Sequence, residues 1–252
     1  MKLTARIKYA PKLTANFKEL KIQLSGGFEE GYNQGYADGQ GTALDGILNK
    51  TIEEVKSESA TSISQYLFQN CKELTTVELP NAITLADGAF YGCSALKVAD
   101  FPQVTYIGNY CFRACTSLER AIFPKITDLK NYGFYGARNL SYVYAPVATK
   151  LQDRCFESCL MLEKLDLPSV TSITGYACIN AKSLVCVILR FNTVATLQHT
   201  QAFSKTPIES GTGYIYVPKN LVEQYKAATN WTVYADQIRA IEDYPGIFGG
   251  AA

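Results

Sequence analysis

Eight cysteines and a single histidine carry the most reactive side chains of this 252-residue chain. Cys71, Cys93, Cys115 and Cys159 fall at multiples of 22 residues, in a slot that Ala137 and Ala181 also fill. Exchange of cysteine for alanine at one position describes a small, apolar, buried site. Cys111 and Cys155 share a second slot with Leu67, Ala89, Gly133 and Ala177. If each period is one coil of a stacked structure, Cys111/Cys115 lie two coils from Cys155/Cys159, about 9.6 Å at ~4.8 Å per strand. Two sulfurs bound to one zinc ion at ~2.3 Å are at most ~4.6 Å apart. A zinc site across the two pairs is therefore excluded by such a structure, and no metal is expected. Disulfides between adjacent coils have an allowed Cα separation but poorly aimed Cβ vectors, so packed thiols are the favoured expectation.

His199 lies in an irregular stretch, and a Ser/His/Asp or Cys/His arrangement could draw on no other imidazole. No nucleophile motif adjoins it, and the chain has no Walker-type phosphate loop, no GxGxxG after a strand and no calcium-binding EF-hand loop. Carboxylates are scattered. No catalytic residue and no cofactor is expected; an enzyme with an unrecognised site is the remote alternative.

The elements that would position these residues follow from the same period. Phenylalanine recurs at Phe68, Phe90, Phe112, Phe134 and Phe156, with Cys178 in the next slot. Leucine recurs at Leu74, Leu96, Leu118, Leu140, Leu162 and Leu184, and proline at Pro80, Pro102, Pro124, Pro146 and Pro168. A fixed period of this length marks a solenoid, whose units bury their apolar sides only against their neighbours. Inward pairs such as Ala99/Phe101, Ala121/Phe123 and Leu165/Leu167 alternate with outward residues as in a short strand. Proline then removes a ladder donor and ends the strand. A second apolar pair follows on the opposite side of the coil, for example Val104/Ile107 or Ile126/Leu129, and the phenylalanine closes the loop into the core. The expected fold is a β-rich solenoid of about six right-handed coils of about 22 residues, with short parallel strands and a small α/β cap at its C-terminal end.

Composition narrows the function. The chain is 47 % hydrophobic, enough for a continuous core, and its formal net charge of +1 supplies no basic field for nucleic acid or anionic lipid. Nothing resembles a signal peptide or a membrane-spanning run, so neither membrane insertion nor nucleic-acid binding is expected. Five parts are distinguished. Residues 1–25 form a segment of unassigned fold, in which Leu3, Ala5, Ile7 and Tyr9, and later Leu20, Ile22 and Leu24, suggest two strands. In residues 26–45, Gly27, Gly31, Gly35 and Gly39 recur every four residues beside Phe28, Tyr32 and Tyr36. That pattern suits either an oligomerising helix with a glycine groove or a flexible linker. The solenoid spans 46–203, with an atypical first coil from Ile47, and after Leu184 the register breaks, Phe203 coming 25 residues after Cys178. Residues 204–246 form a cap with a strand at YIYVP, an amphipathic helix bearing Leu221, Val222, Tyr225 and Ala228, a further helical turn at ADQIRAI, and Trp231 as a plug. Residues 247–252 form a loose tail.

The recurring pattern in YLFQNCKELTTVELP, GAFYGCSALKVADFP and RCFESCLMLEKLDLP resembles the BspA-type, or Treponema pallidum type, leucine-rich repeat. The closing segment TPIESGTGYIYVPKNLVEQYKAATNWTVYADQI is similar to caps of such arrays in gut Firmicutes and their phages. This resemblance implies a leucine-rich-repeat solenoid in a surface protein that adheres to host proteins or other bacteria. The 22-residue unit is one residue shorter than is usual for the family, and Ala137, Ala181 and Cys178 depart from its pattern.

Within that frame the surface able to do work is the outward face of the strands: Thr76/Glu78, Val98/Asp100, Arg120/Ile122, Tyr142/Tyr144, Lys164/Asp166 and Cys186/Ile188. Arg120, Ile122, Tyr142, Tyr144, Lys164 and Asp166 form an aromatic and cationic patch of binding-hot-spot composition. The expected function is a non-enzymatic recognition or adhesion module for a protein or glycan on a cell surface, with residues 26–45 as a candidate homo-oligomerisation segment. Two settings stay open: a bacterial surface adhesin, or a phage tail-fibre or receptor-binding component of a virion, to which the absence of export signals inclines. A purely structural phage assembly protein is a further alternative.

Overall fold

The structure, a computed structural model, describes residues 2–7, 13–16 and 52–247. The glycine-aromatic segment, with Gly27, Gly31, Gly35, Gly39, Phe28, Tyr32 and Tyr36, lies outside the described residues, as do Leu20–Leu24 and the tail beyond 247. The expected strand around Leu3–Ile7 is present as β1 (Lys2–Ile7), which pairs antiparallel with β2 (Leu13–Asn16) and with β3 (Ile52–Lys56).

From β3 onward the chain winds into a parallel-strand solenoid of about eight turns of about 22 residues. One ladder holds β3, β5 (Thr76–Glu78), β7 (Val98–Asp100), β9 (Arg120–Ile122), β11 (Tyr142–Tyr144), β13 (Lys164–Asp166), β15 (Cys186–Ile188) and β17 (Tyr214–Val217), in consecutive parallel segments. The opposite side carries two-residue strands, among them β4 (Ser62–Ile63), β6 (Thr84–Leu85), β8 (Tyr106–Ile107), β10 (Asp128–Leu129), β12 (Lys150–Leu151), β14 (Ser172–Ile173) and β16 (Thr196–Leu197). The six coils expected from the phenylalanines become about eight because β3, 22 residues before β5, and β17, 28 residues after β15, both pair in register with the repeat.

The third side is the arc that closes each coil, and it is a ladder of its own. The N–H groups of Phe68, Phe90, Phe112, Phe134 and Phe156 each donate to a carbonyl of the next coil, at 2.8 to 2.9 Å. So do the residues two before and two after most of them, such as Tyr110 to Asn131 and Ala114 to Tyr135. Those flanking residues sit in the left-handed region: Tyr66, Tyr110, Tyr132 and Arg154 on one side, and Asn70, Ala114, Ser158 and Asn180 on the other, with Gly88, Gly92 and Gly136 in the equivalent places. L-residues adopt this conformation at a cost of roughly 1–2 kcal/mol each. Here it is held because every reversal around the phenylalanine aims N–H groups at the next coil.

The arc also builds the core. Phe68, Phe90, Phe112, Phe134 and Phe156 stack in one column with ring centroids 5.4 to 5.5 Å apart. Phe101 and Phe123 form a second stacked pair beside it, 5.7 Å apart. Phe203 keeps a place in this arrangement: Cys178 donates to Ala202 just as Phe156 donates to Ala177. Of its three extra residues, two are absorbed between β15 and β16, where the bend at Arg190–Thr193 is exposed, and the third between Leu197 and Phe203.

The cysteines are all buried and unbridged. The thiols of Cys93, Cys115 and Cys159 donate to the carbonyls of Phe68, Phe90 and Phe134, at 3.0, 3.1 and 3.2 Å. That slot is therefore small and apolar and also supplies a weak donor to the arc. Burial pushes the Cys71 and Cys115 thiols up to about 12 and raises Cys93, Cys111 and Cys159 well above the ordinary range.

At the C-terminal end, the expected strand and helix are present as β17 and α1 (Val222–Ala227), whose Tyr225 is buried. Trp231 is fully buried and donates from Nε1 to the Ala195 carbonyl at 2.7 Å, while the Tyr225 hydroxyl accepts from the Ala195 N–H at 2.9 Å. Together they plug the last coil. The helical turn expected at ADQIRAI is only partly helical: a 3₁₀ segment ends at Gln237, and β18 (Ile238–Ala240) adds a parallel strand to β17. That pairing is non-local, so the local helical pattern gave no sign of it.

Candidate functional site

The strand face is built by alternation. In β7, β9 and β11 the central residues Ala99, Ala121 and Val143 turn inward, and the flanking residues turn out. Parallel register stacks Val98, Arg120 and Tyr142 in one row and Asp100, Ile122 and Tyr144 in the next. The Arg120 guanidinium lies 4.9 Å from the Tyr142 ring centroid, a cation–π contact. Val98, Tyr142 and Tyr144 are each more than two-fifths exposed, and Arg120 is exposed beside them. Arg120, Ile122, Tyr142 and Tyr144 are thus brought together as expected.

Lys164 and Asp166 lie in the next strand, β13, which belongs to a separately bonded stretch of the ladder with β15. The Asp166 carboxylate accepts two hydrogen bonds from the Arg190 guanidinium, at 3.0 and 2.7 Å, and this bond raises the Arg190 pKa. Asp166 is therefore committed within the protein. Cys186 and Ile188 do not continue the open face. They are buried with Tyr216, and Tyr214 and Ile241 pack against them, so the residues after β18 cover the face at its C-terminal end. Tyr216 meets Tyr244 edge to face at 5.5 Å. Alternation along β15 pointed both residues to solvent; the long-range return of the chain puts them under cover.

Sequence reasoning missed a second patch, on the arc side. Tyr110 and Tyr132 stack with centroids 5.0 Å apart, and Tyr176 meets His199 at 4.6 Å. The Arg113 guanidinium lies among four rings, 4.7 Å from Tyr135 and 5.6 to 5.9 Å from Tyr91, Tyr110 and Tyr132. Arg154 lies 4.6 Å from the Tyr176 ring and bonds Glu157 at 2.7 Å. The signal was available: Tyr66, Tyr110, Tyr132 and Tyr176 stand two residues before the phenylalanine slot, on the 22-residue period. His199, the one histidine, accepts a hydrogen bond at Nδ1 from the Gln201 N–H at 3.1 Å, within its own turn.

The model of the BspA type leucine-rich repeat region matches residues 48–149 and 115–225, in six copies. The chain belongs to this family. Among solved structures, this BspA type solenoid is similar to a leucine-rich repeat protein from Eubacterium ventriosum, with a TM-score of 0.54 and 28 % identity, over 58 % of this chain and 40 % of that one. It also matches one from Bacteroides ovatus in fold, with a TM-score of 0.52 and 19 % identity, over 71 % of this chain and 57 % of that one. The chain thus spans well under two-thirds of the length of either relative. No curated protein matches it. No helix among the described residues of this BspA type chain is long and apolar enough to cross a membrane.

Proposed function

We propose that this BspA type solenoid is a non-enzymatic recognition module that binds a protein partner through the strand face between β7 and β11. The module would act at a bacterial cell surface, or on a virion that meets one. The observation that carries this reading is the patch of exposed Val98, Tyr142 and Tyr144 and half-buried Ile122 over two adjacent rows, with Arg120 held against Tyr142. Large aromatic and aliphatic groups already fixed on rigid strands lose little conformational entropy on binding, and tyrosine and arginine are the residue types that dominate protein hot spots. The strands leave these side chains in place without help from a partner, so the face is preorganised.

The test compares the protein with its Tyr142→Ala/Tyr144→Ala variant for retention on intact bacterial cells and on immobilised host matrix proteins. The variant is expected to melt with the parent and to lose retention. Retention equal to the parent's would remove the patch from consideration.

A further inference from the structure

The arc side carries a second site of different chemistry, and it stands independently of the strand-face reading. Arg113 is half-buried, and its guanidinium sits against four tyrosine rings. Among the described residues, no carboxylate forms an ion pair with it and no acceptor takes a hydrogen bond from it. Acids on the same arc are engaged with other partners. Asp87 accepts from the Asn109 N–H at 2.8 Å, Asp153 accepts from the Tyr176 N–H at 2.8 Å, and Glu157 is held by Arg154.

Several features of this place favour an anion. A guanidinium offers five N–H donors, and phenolic hydroxyls add further donors. Tyrosine ring edges carry the positive part of the ring quadrupole. The cation–π contacts hold the guanidinium in place without using its hydrogen-bond donors. An anion with several oxygens, such as a carboxylate or sulfate, would meet a fixed cation and avoid most of the cost of ordering it. The ligand is also extended. Tyr110 and Tyr132 stack at 5.0 Å, Arg154 takes the next place between the Tyr132 and Tyr176 rings, and His199 lies against Tyr176, so rings and cations follow one another along the axis. Because Tyr110 and Tyr132 turn their faces toward each other, the row presents ring edges and hydroxyl groups, which can meet the hydroxyl groups of an extended polysaccharide.

We infer that the arc side binds an acidic polysaccharide, with Arg113 taking a carboxylate or sulfate and the tyrosine row taking the sugars. Heparin oligosaccharides supply the sulfate form, polygalacturonate the carboxylate form, and dextran a neutral control. Titration of the full chain by calorimetry is expected to show binding of at least one acidic probe, weakening as salt rises, and none of dextran. Arg113→Gln should raise the Kd on the order of tenfold, the loss of one charged hydrogen-bonding group, with an unchanged melting curve. Tyr135→Leu should weaken it as well, whereas Tyr142→Ala/Tyr144→Ala should leave it untouched. Preference for one acidic probe would identify the anion. The inference is overturned if neither acidic probe binds, if dextran binds as well, if Arg113→Gln binds as the parent does, or if the strand-face variant abolishes the interaction.

Discussion

The strand face and the arc side repeat the same period and both set arginine against tyrosine, yet they are built by opposite backbone devices. On the strands, extended residues alternate, so one flat row per outward position runs along the sheet and can be read from the pattern directly. On the arc, left-handed residues bracket each phenylalanine and turn its neighbours outward, so tyrosines two before and one after the slot, from the same coil and the coils on either side, gather around Arg113. The strand face has lost its C-terminal coil to cover by Tyr214 and Ile241, and its Asp166 is paired to Arg190. The arc keeps Arg113 without a carboxylate. One fold thus presents two surfaces, one rich in apolar and aromatic area and one rich in donors.

Both surfaces rest on one aromatic column, which gives the largest effect. Phe112 stacks on Phe90 and Phe134 at 5.4 and 5.5 Å, so Phe112→Ala should cost ~3–5 kcal/mol in denaturant unfolding. It should weaken strand-face and arc-side binding together. Loss of one and retention of the other would show that the two faces do not share support.

Alkali should act on the arc first, because the thiols lie under it. An unfolded thiol ionises near pH ~8.5, whereas burial holds the Cys115 thiol protonated up to about 12. Above the unfolded value the unfolded chain has released protons that the folded chain keeps. Stability is therefore full below about pH 8.5 and falls as pH rises, by ~1.4 kcal/mol per pH unit for each such thiol. Cys111→Ala, which places the residue of Ala89 and Ala177 in that slot, should make the fall shallower by one thiol's share, read from unfolding midpoints between neutral and alkaline pH.

A smaller effect probes the left-handed positions. Gly88 has φ of +59°, and a Cβ there would come within 2.2 Å of the Tyr66 ring. Gly88→Ala should cost about 1–3 kcal/mol and shift the near-ultraviolet tyrosine signal as Tyr66 is displaced. Smallest of all are the surface changes themselves: Tyr142→Ala/Tyr144→Ala and Arg113→Gln should each move stability by no more than about 1 kcal/mol. A larger loss in either would mean that the face is structural rather than presented.

Much of this architecture was legible because it is periodic. The residues that recur at 22, Phe112 or Leu118 or Cys115, are those whose neighbours along the axis are copies of themselves, so a one-dimensional pattern reports a three-dimensional contact. The strand-face residues Arg120, Ile122, Tyr142 and Tyr144 followed from the same reasoning. Cys186 and Ile188 did not, since their cover arrives from residues 241 to 244, some 55 positions later and outside the repeat. Nor did the pairing of Ile238–Ala240 with β17, where a helix-like string meets an open sheet edge and the gain of a ladder outweighs local propensity.

By itself, the sequence determined the coil, its length, the residues that face the core and the place where proline ends each strand, because stacking identical units makes each inward slot answer only to its own copies. Tertiary structure alone decided the backbone hand of Tyr110, Ala114 and Arg154, and with it the gathering of tyrosines around Arg113. No residue type demands that left-handed turn. The next coil's carbonyls, waiting at hydrogen-bond distance, make it the lower-energy choice.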